Sequence, residues 1–424
     1  MYFDYAIIGG GLAGLYAARE IAKKQPKASI AVFEKYRVFG GRVLTFREGP
    51  YQWEAGAGRI HSSHTLVRSL LKQYKLKEVP IPSEVGWVET YGARLVPNEW
   101  EQSLSSWLTE ISKLPQEQLA THTLFEILTK IFGEAEAKRM VAPFPYYGEI
   151  YTLRADLAIE SFHGEMGTHD HYSVSPDGYD MLIGSLVDDC VNHGVQLQTH
   201  WDLKAAAPEG GAIRLWFAEG SPSDKDARPV KEILAKKAIF ALHRDALAKI
   251  NLFESWPLLK KVKMEPLHRI YAVFPKSNDN KVWFEGLGKF VTPTPIRYFI
   301  PINPAKGITM ISYTDGEDTK VWTDLAYGAD PKNETLGFLL TQECRRLFPE
   351  KDIPYPIFLK SHPWDSGCTY WLPGQYNVKE ASKESLQPFG SAMPNIYVCG
   401  ESFSLRQAWM EGALENTRDL LRIL

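Results

Sequence analysis

Cysteine is scarce. Cys190, Cys344, Cys368 and Cys399 are the only four in a chain of 424 residues, with no CxxC pair and no Cys/His cluster at metal spacing. Such scatter signals neither a disulfide framework nor a metal site, and it suits a reducing compartment. Long apolar runs are missing as well: none reaches 18 residues, and the N-terminus opens into a strand-like stretch rather than a basic leader followed by an apolar run. The expectation is a cytoplasmic protein without membrane contact. Charge of one sign is equally lacking, because the net charge is −3 and no block of five like charges occurs. A footprint for nucleic acid or anionic lipid is therefore absent, and a small-molecule partner is expected.

What is present is an ordinary globular balance, 44% hydrophobic and 23% charged, which sets aside disordered and fibrous classes. The length implies two or three domains, or two lobes built from interleaved segments. "YFDYAIIGGGLAGLYAAREIAKKQP" reads as a short apolar strand, a glycine turn and a helix with Leu15, Ala18, Ile21 and Ala22 at helical spacing, ended by Pro26. "ASIAVFEK" follows as a second buried strand, so the chain opens with a βαβ unit and a parallel sheet. Gly9, Gly11 and Gly14 form GxGxxG around Leu12 and Ala13 at the turn, and Glu34 closes the next strand 20 residues beyond Gly14. The first glycine permits the turn, the second the approach of a pyrophosphate, and the third close packing of helix on strand. An acid at that strand end suits ribose hydroxyls and disfavours a 2′-phosphate, which points to FAD or NAD.

The texture then changes. Residues 100–160 read as mostly helical, broken at Pro115 and at "APFPYYG", whereas 265–315 carry β-rich runs such as "HRIYAVF" and "GITMISYT" that suit an antiparallel sheet. "KKAIFAL" (236–242) and "NIYVCGE" (395–401) return to short buried strands, the latter leading into a C-terminal helix. The fold class expected is α/β, a Rossmann-like FAD-binding domain plus a substrate domain of mixed β-sheet and helices. The first is discontinuous, over 1–80, 175–265 and 385–424; the second takes 81–174 and 266–384.

Two further segments choose between the dinucleotides. "RVFGGRVLTF" sets Gly40, Gly41 and Arg42 behind the second strand, and "NIYVCGESFSLRQAWMEGALENTRDLL" sets a Gly400-Glu401 pair before an aromatic-Met-Glu-Gly-Ala helix start. With these the chain resembles the flavin-dependent amine oxidase superfamily. "SPDGYDMLIGSL" (175–186) and "AKKAIFALHRDALAKI" (235–250) are similar to its mid-chain flavin segments, although His243 replaces the usual proline. The resemblance implies FAD as cofactor, with Glu401 on the ribityl chain, Met410 at the pyrimidine side of the isoalloxazine and Ala413 beside it. Trp409 would form one wall of an aromatic cage, and Tyr370 or Trp371, in "SHPWDSGCTYWLPG", the other.

Within the superfamily, "EAGAGRIHSSHTLVRSLLKQY" resembles the L-amino acid oxidase branch, in which an arginine after a glycine-bearing turn clamps the substrate carboxylate; here these are Gly58 and Arg59. A guanidinium fork matches a carboxylate bidentately. The other reading for Arg59 is an ion pair with Glu54 or a contact to the flavin phosphate. Arg269 falls where the family usually carries a lysine that holds a water against the flavin; arginine presents a planar fork instead of a rotatable ammonium. Arg297 and His163 are further candidates for the cavity. Cys368 lies where monoamine oxidases bond the flavin, but at a shorter spacing from Trp364, so a non-covalent flavin is expected. The resemblance thus implies an FAD-dependent oxidase of primary amines that turns an L-amino acid and dioxygen into 2-oxo acid, ammonia and hydrogen peroxide. Monoamine or polyamine oxidation is the alternative, and a flavoprotein without turnover, for which Arg269 speaks, a second. A homodimer is left open, and the C-terminal membrane helix of monoamine oxidases is not expected.

Overall fold

The computed structural model describes residues 1–89, 94–95, 106–165, 171–219, 230–327 and 334–424. Among the described residues, seven strands form the first sheet. Tyr2–Ile8 lies parallel to Ile30–Phe33 on one side and to Val230–Phe240 on the other, with Ile8 level with Phe33 and with Phe240. Gln196–Gln198 extends the sheet beyond Ile30–Phe33, and Ile396–Val398 pairs with the end of Val230–Phe240. The runs "YAII" and "IAVF" are apolar without alternation because helices cover both faces of a parallel sheet. Leu15 and Ala18 of the helix Leu12–Lys24, Leu182 and Leu186 of Asp180–Asn192, and Leu414 of Met410–Leu420 share one core with Ile7, Val32 and Ile239.

An antiparallel hairpin, Trp201–Glu209 with Ala212–Glu219, continues the sheet from the lower half of Val230–Phe240. Its turn, Gly210–Gly211, has φ of 57° and 81°, the left-handed pair that a two-residue turn of this hand requires. Within the stretch 175–265 expected to belong to the FAD-binding domain, this hairpin was not anticipated as an element.

The second sheet also has seven strands, in the order 358–371, 262–273, 308–315, 298–303, 290–291, 86–88 and 94–95. It is antiparallel except where Phe290–Val291 runs alongside Gly86–Val88. The helical stretch divides into Gln116–Thr121, Leu124–Phe132, Glu134–Val141, Tyr147–Tyr151 and Ala155–Glu165. Pro115 precedes the first of these, and Thr123 with Glu126 forms a capping box that starts the second. Residues 103–105 of the expected helix "SLSSWLTEISKL" lie outside the described residues. Trp107, Ile127, Leu128 and Phe162 join a cluster with Phe3, Phe33 and Phe217, so the helices share a core with the first sheet. Among the described residues no helix is long and apolar enough to cross a membrane.

Candidate active site

The glycine turn shows why its sequence is what it is. Gly9 has φ of 102°, and a Cβ on Gly14 would collide with the Gly9 carbonyl oxygen, so strand and helix approach more closely than any side chain permits. Gly11 starts the helix without a side-chain cap, while Leu12 and Ala13 line a cavity, leaving orphan N–H groups and the positive end of the helix for an anion. Glu34 Oε2 accepts from Gly10 N (2.8 Å) and Oε1 from Tyr36 N (2.9 Å); burial pushes this carboxyl upward. Gly40, at φ 122°, donates its N–H to the Gly10 carbonyl (2.9 Å), and Gly40 and Gly41 face the same cavity.

Arg42 reaches across to the other end of the sequence. Its Nη2 pairs with Glu401 Oε2 (2.9 Å) and its Nη1 donates to Gly367 O (2.9 Å). The Glu401 carboxylate also accepts from Thr369 N (3.1 Å), Thr369 Oγ1 (3.0 Å) and Ala408 N (2.7 Å), which locks the strand 358–371 to the start of the last helix. Gly400, Glu401, Trp409, Met410 and Ala413 line the cavity here. His243, at the family's usual proline, caps the short helix Arg244–Leu247 by accepting from Ala246 N; burial pushes its imidazole down to about 4. The cavity measures about 1940 Å³. That exceeds the roughly 300–1,000 Å³ of an ordinary ligand pocket and leaves room for a dinucleotide and a substrate.

Arg59 also lines the cavity. Its Nη2 donates to Tyr146 Oη (2.7 Å), and its guanidinium lies 4.2 Å from the Tyr172 ring centre, 5.6 Å from Trp409 and 5.7 Å from Tyr146. Among the described residues no carboxylate forms an ion pair with it. Glu54 does not serve: it accepts instead from Tyr179 N (3.1 Å) and Thr45 Oγ1 (3.0 and 3.1 Å), with burial raising it to about 7. Arg269 pins the turn that carries Arg59, since its Nη1 donates to the carbonyls of Glu54 and Gly56 and its guanidinium lies 5.6 Å from the Tyr313 ring. A Cβ on Gly58 would stand 2.8 Å from Arg269 Nη1, so the guanidinium would have to shift to admit one.

Several expected side chains stand elsewhere. Trp371 does not line the cavity: its ring is fully buried against Phe403 and Tyr376, with Nε1 donating to Ser404 O (3.0 Å), because strand alternation turns its side chain away from that of Tyr370. Tyr370 does line it, beside Cys368 two residues earlier on the same face. His163 is exposed at the end of the helix Ala155–Glu165. Arg297 has its guanidinium on the carbonyls of Ala142, Thr292 and Phe144 and on Asp318, as a tie between segments rather than a cavity residue. Conversely, Tyr146, Glu149, Tyr298 and Tyr313 line the cavity and were not anticipated. They sit in stretches whose local pattern reads only as a helix break or a β-rich run.

The site and fold define a flavoprotein oxidoreductase. The profile described as flavin containing amine oxidoreductase matches residues 12–418, and the chain belongs to that family, with FAD as its cofactor. An uncharacterized protein of Acanthamoeba polyphaga mimivirus is 32% identical, covering 99% of this chain and 93% of the relative. The putative L-amino-acid oxidase YobN of Bacillus subtilis is 23% identical over 97% of this chain and 92% of its own length. A solved structure of wild-type putrescine oxidase bound to putrescine has a similar fold, with a TM-score of 0.74 at 15% identity over 100% of this chain and 99% of the other. The chain is thus an enzyme acting on a small-molecule amine.

Proposed function

We propose that this enzyme oxidises an L-amino acid to the imine, which hydrolyses to the 2-oxo acid and ammonia, while dioxygen is reduced to hydrogen peroxide. The observation that carries the reading is Arg59, a cation on the cavity wall that stands among aromatic rings and, among the described residues, forms no ion pair with a carboxylate. A cation removed from water calls for a counter-charge, and a substrate carboxylate supplies one in bidentate geometry. The glycine cradle at Gly9–Gly14, Glu34 and the open start of the last helix at Met410 would hold the FAD, which when bound supplies acceptance of the α-hydrogen with its electron pair.

The protein's own share is placement. Arg59 fixes the carboxylate, Trp409 and Tyr370 flank the amine, and Arg269 keeps the Glu54–Gly58 turn, and with it Arg59, in position. Cys368 lies on the wall near Tyr370, and the flavin is taken to be held without a bond to it. All four cysteines are free, which fits a reducing, cytoplasmic setting. Amine oxidation remains the second reading, favoured by the hydrogen bond from Arg59 to Tyr146, which already engages one of its donors.

Arg59→Ala tests the reading. Removing one member of a desolvated pair costs about 2–5 kcal/mol, so kcat/KM for an L-amino acid should fall about thirtyfold or more in a peroxide-coupled assay. The decarboxylated amine should be far less affected. Equal losses on both substrates, together with lost FAD or a lower Tm, would sink the amino acid reading.

A further inference from the structure

One carboxyl group on the cavity wall has no part in the reading above. Glu149 belongs to the short helix Tyr147–Tyr151, is buried, and lines the same cavity as Arg59, Tyr370 and Trp409. Its surroundings are built to hold it there. The Asp315 carboxylate accepts from Tyr147 N (2.9 Å) and Gly148 N (3.0 Å), fixing the start of the helix against the strand Ile308–Asp315. A Cβ on Gly148 would collide with the Tyr370 ring, so only glycine lets that ring lie on the helix. In that position the Tyr370 hydroxyl donates to Glu149 Oε2 (3.2 Å).

Amine oxidation has a requirement that this arrangement can meet. An amino acid arrives as an ammonium, which has no nitrogen lone pair to support loss of the α-hydrogen with its electrons, so one proton must leave first. A general base within the cavity has to take it. We propose that Glu149 is that base: its carboxylate accepts one proton from the substrate ammonium, giving the neutral amine and a carboxylic acid, with no electrons changing hands. The inference rests on the reading of the site as one for an amine-bearing substrate.

The electrostatics agree with the geometry. Burial, and after it the nearby Asp315, push Glu149 upward from the ordinary carboxylate range, whereas the Tyr370 hydrogen bond and Arg59 pull it down. Asp315 is itself raised, first by burial, with Asp318 and Glu265 adding to it. Tyr146, Tyr313 and Cys368 are the remaining ionisable groups facing this corner; burial raises all three, so they stay neutral. A carboxyl held up in this way binds a proton more firmly than an exposed one does, and it is closer in affinity to an amine.

The experiment is anaerobic flavin reduction in the holoenzyme, followed by stopped flow across pH with saturating L-amino acid and, separately, its decarboxylated amine. Wild type should show a rate that rises with pH through one ionisation to a plateau. In Glu149→Gln the rate at pH 7 should fall about tenfold or more, and the rise should move to the ionisation of the free amine, with the plateau largely kept. Tyr370→Phe, which keeps the ring but removes the donor to the carboxylate, should move the rise to higher pH. An unshifted rise in both variants overturns the proposal, as does a selective increase in KM for diamines in Glu149→Gln, which would mark Glu149 as a holder of a distal ammonium. Reduction by the amine alone would contradict the amino acid reading, and the position of the rise with that amine would still decide the role of Glu149.

Discussion

Glu54 shows how far a single residue's chemistry can depart from its appearance in the sequence. The string "YQWEAGAGR" sets it five positions before Arg59 and invites an ion pair, yet its carboxyl turns to Tyr179 N and Thr45 Oγ1. Burial raises it to about 7. A carboxyl whose folded value lies above its unfolded one, about 4.3, holds its proton more tightly when folded, so stability is lost as pH climbs from the lower value through the upper. Wild-type holoenzyme should therefore lose melting temperature between pH 5 and pH 8 faster than Glu54→Gln does. Parallel melting curves across that range would show that Glu54 is ionised throughout. Arg59 and Trp409 could be singled out because their segments, "EAGAGRIHSSH" and "RQAWMEGALEN", resemble those of the amine oxidase family. Tyr146 and Glu149 could not, because nothing in "APFPYYGEI" distinguishes a cavity wall from a helix break.

At the level of elements, periodicity and punctuation announced the opening βαβ unit, the helical character of 100–160 and the strands around 236–242 and 395–401. Their joining was less visible. Glu411, in the first turn of Met410–Leu420, is fully buried and accepts from Leu66 N (2.8 Å) and Val67 N (2.9 Å), the orphan donors at the start of Thr65–Gln73. A carboxylate from one helix thus caps another that lies 344 residues away in sequence, and it does so beside the helix start expected to carry the flavin. A buried donor left unsatisfied costs about 1–3 kcal/mol. Glu411→Ala should lower the unfolding free energy by about 2 kcal/mol or more and weaken FAD retention, measured by denaturant titration and by flavin content after gel filtration. Unchanged stability would mean that water or a neighbour replaces the cap.

Across the whole molecule, the strands of two seven-stranded sheets are drawn from interleaved parts of the chain, and the cavity gathers Arg59, Glu149, Tyr298, Tyr313, Tyr370 and Trp409 from separate segments. Local patterns reveal which elements exist, and the fingerprint at Gly9–Glu34 with the closing "AWMEGA" segment reveals the cofactor. Which of two consecutive aromatics, Tyr370 or Trp371, turns toward the cavity depends on a register that only the assembled sheet fixes. The direct test of the account compares two substrates that differ in one group. Holoenzyme is mixed without oxygen with an L-amino acid or with the amine left by its decarboxylation, and loss of the yellow oxidised flavin is followed. The account predicts rapid bleaching by the amino acid and slower, still measurable bleaching by the amine. Faster bleaching by the amine would contradict it.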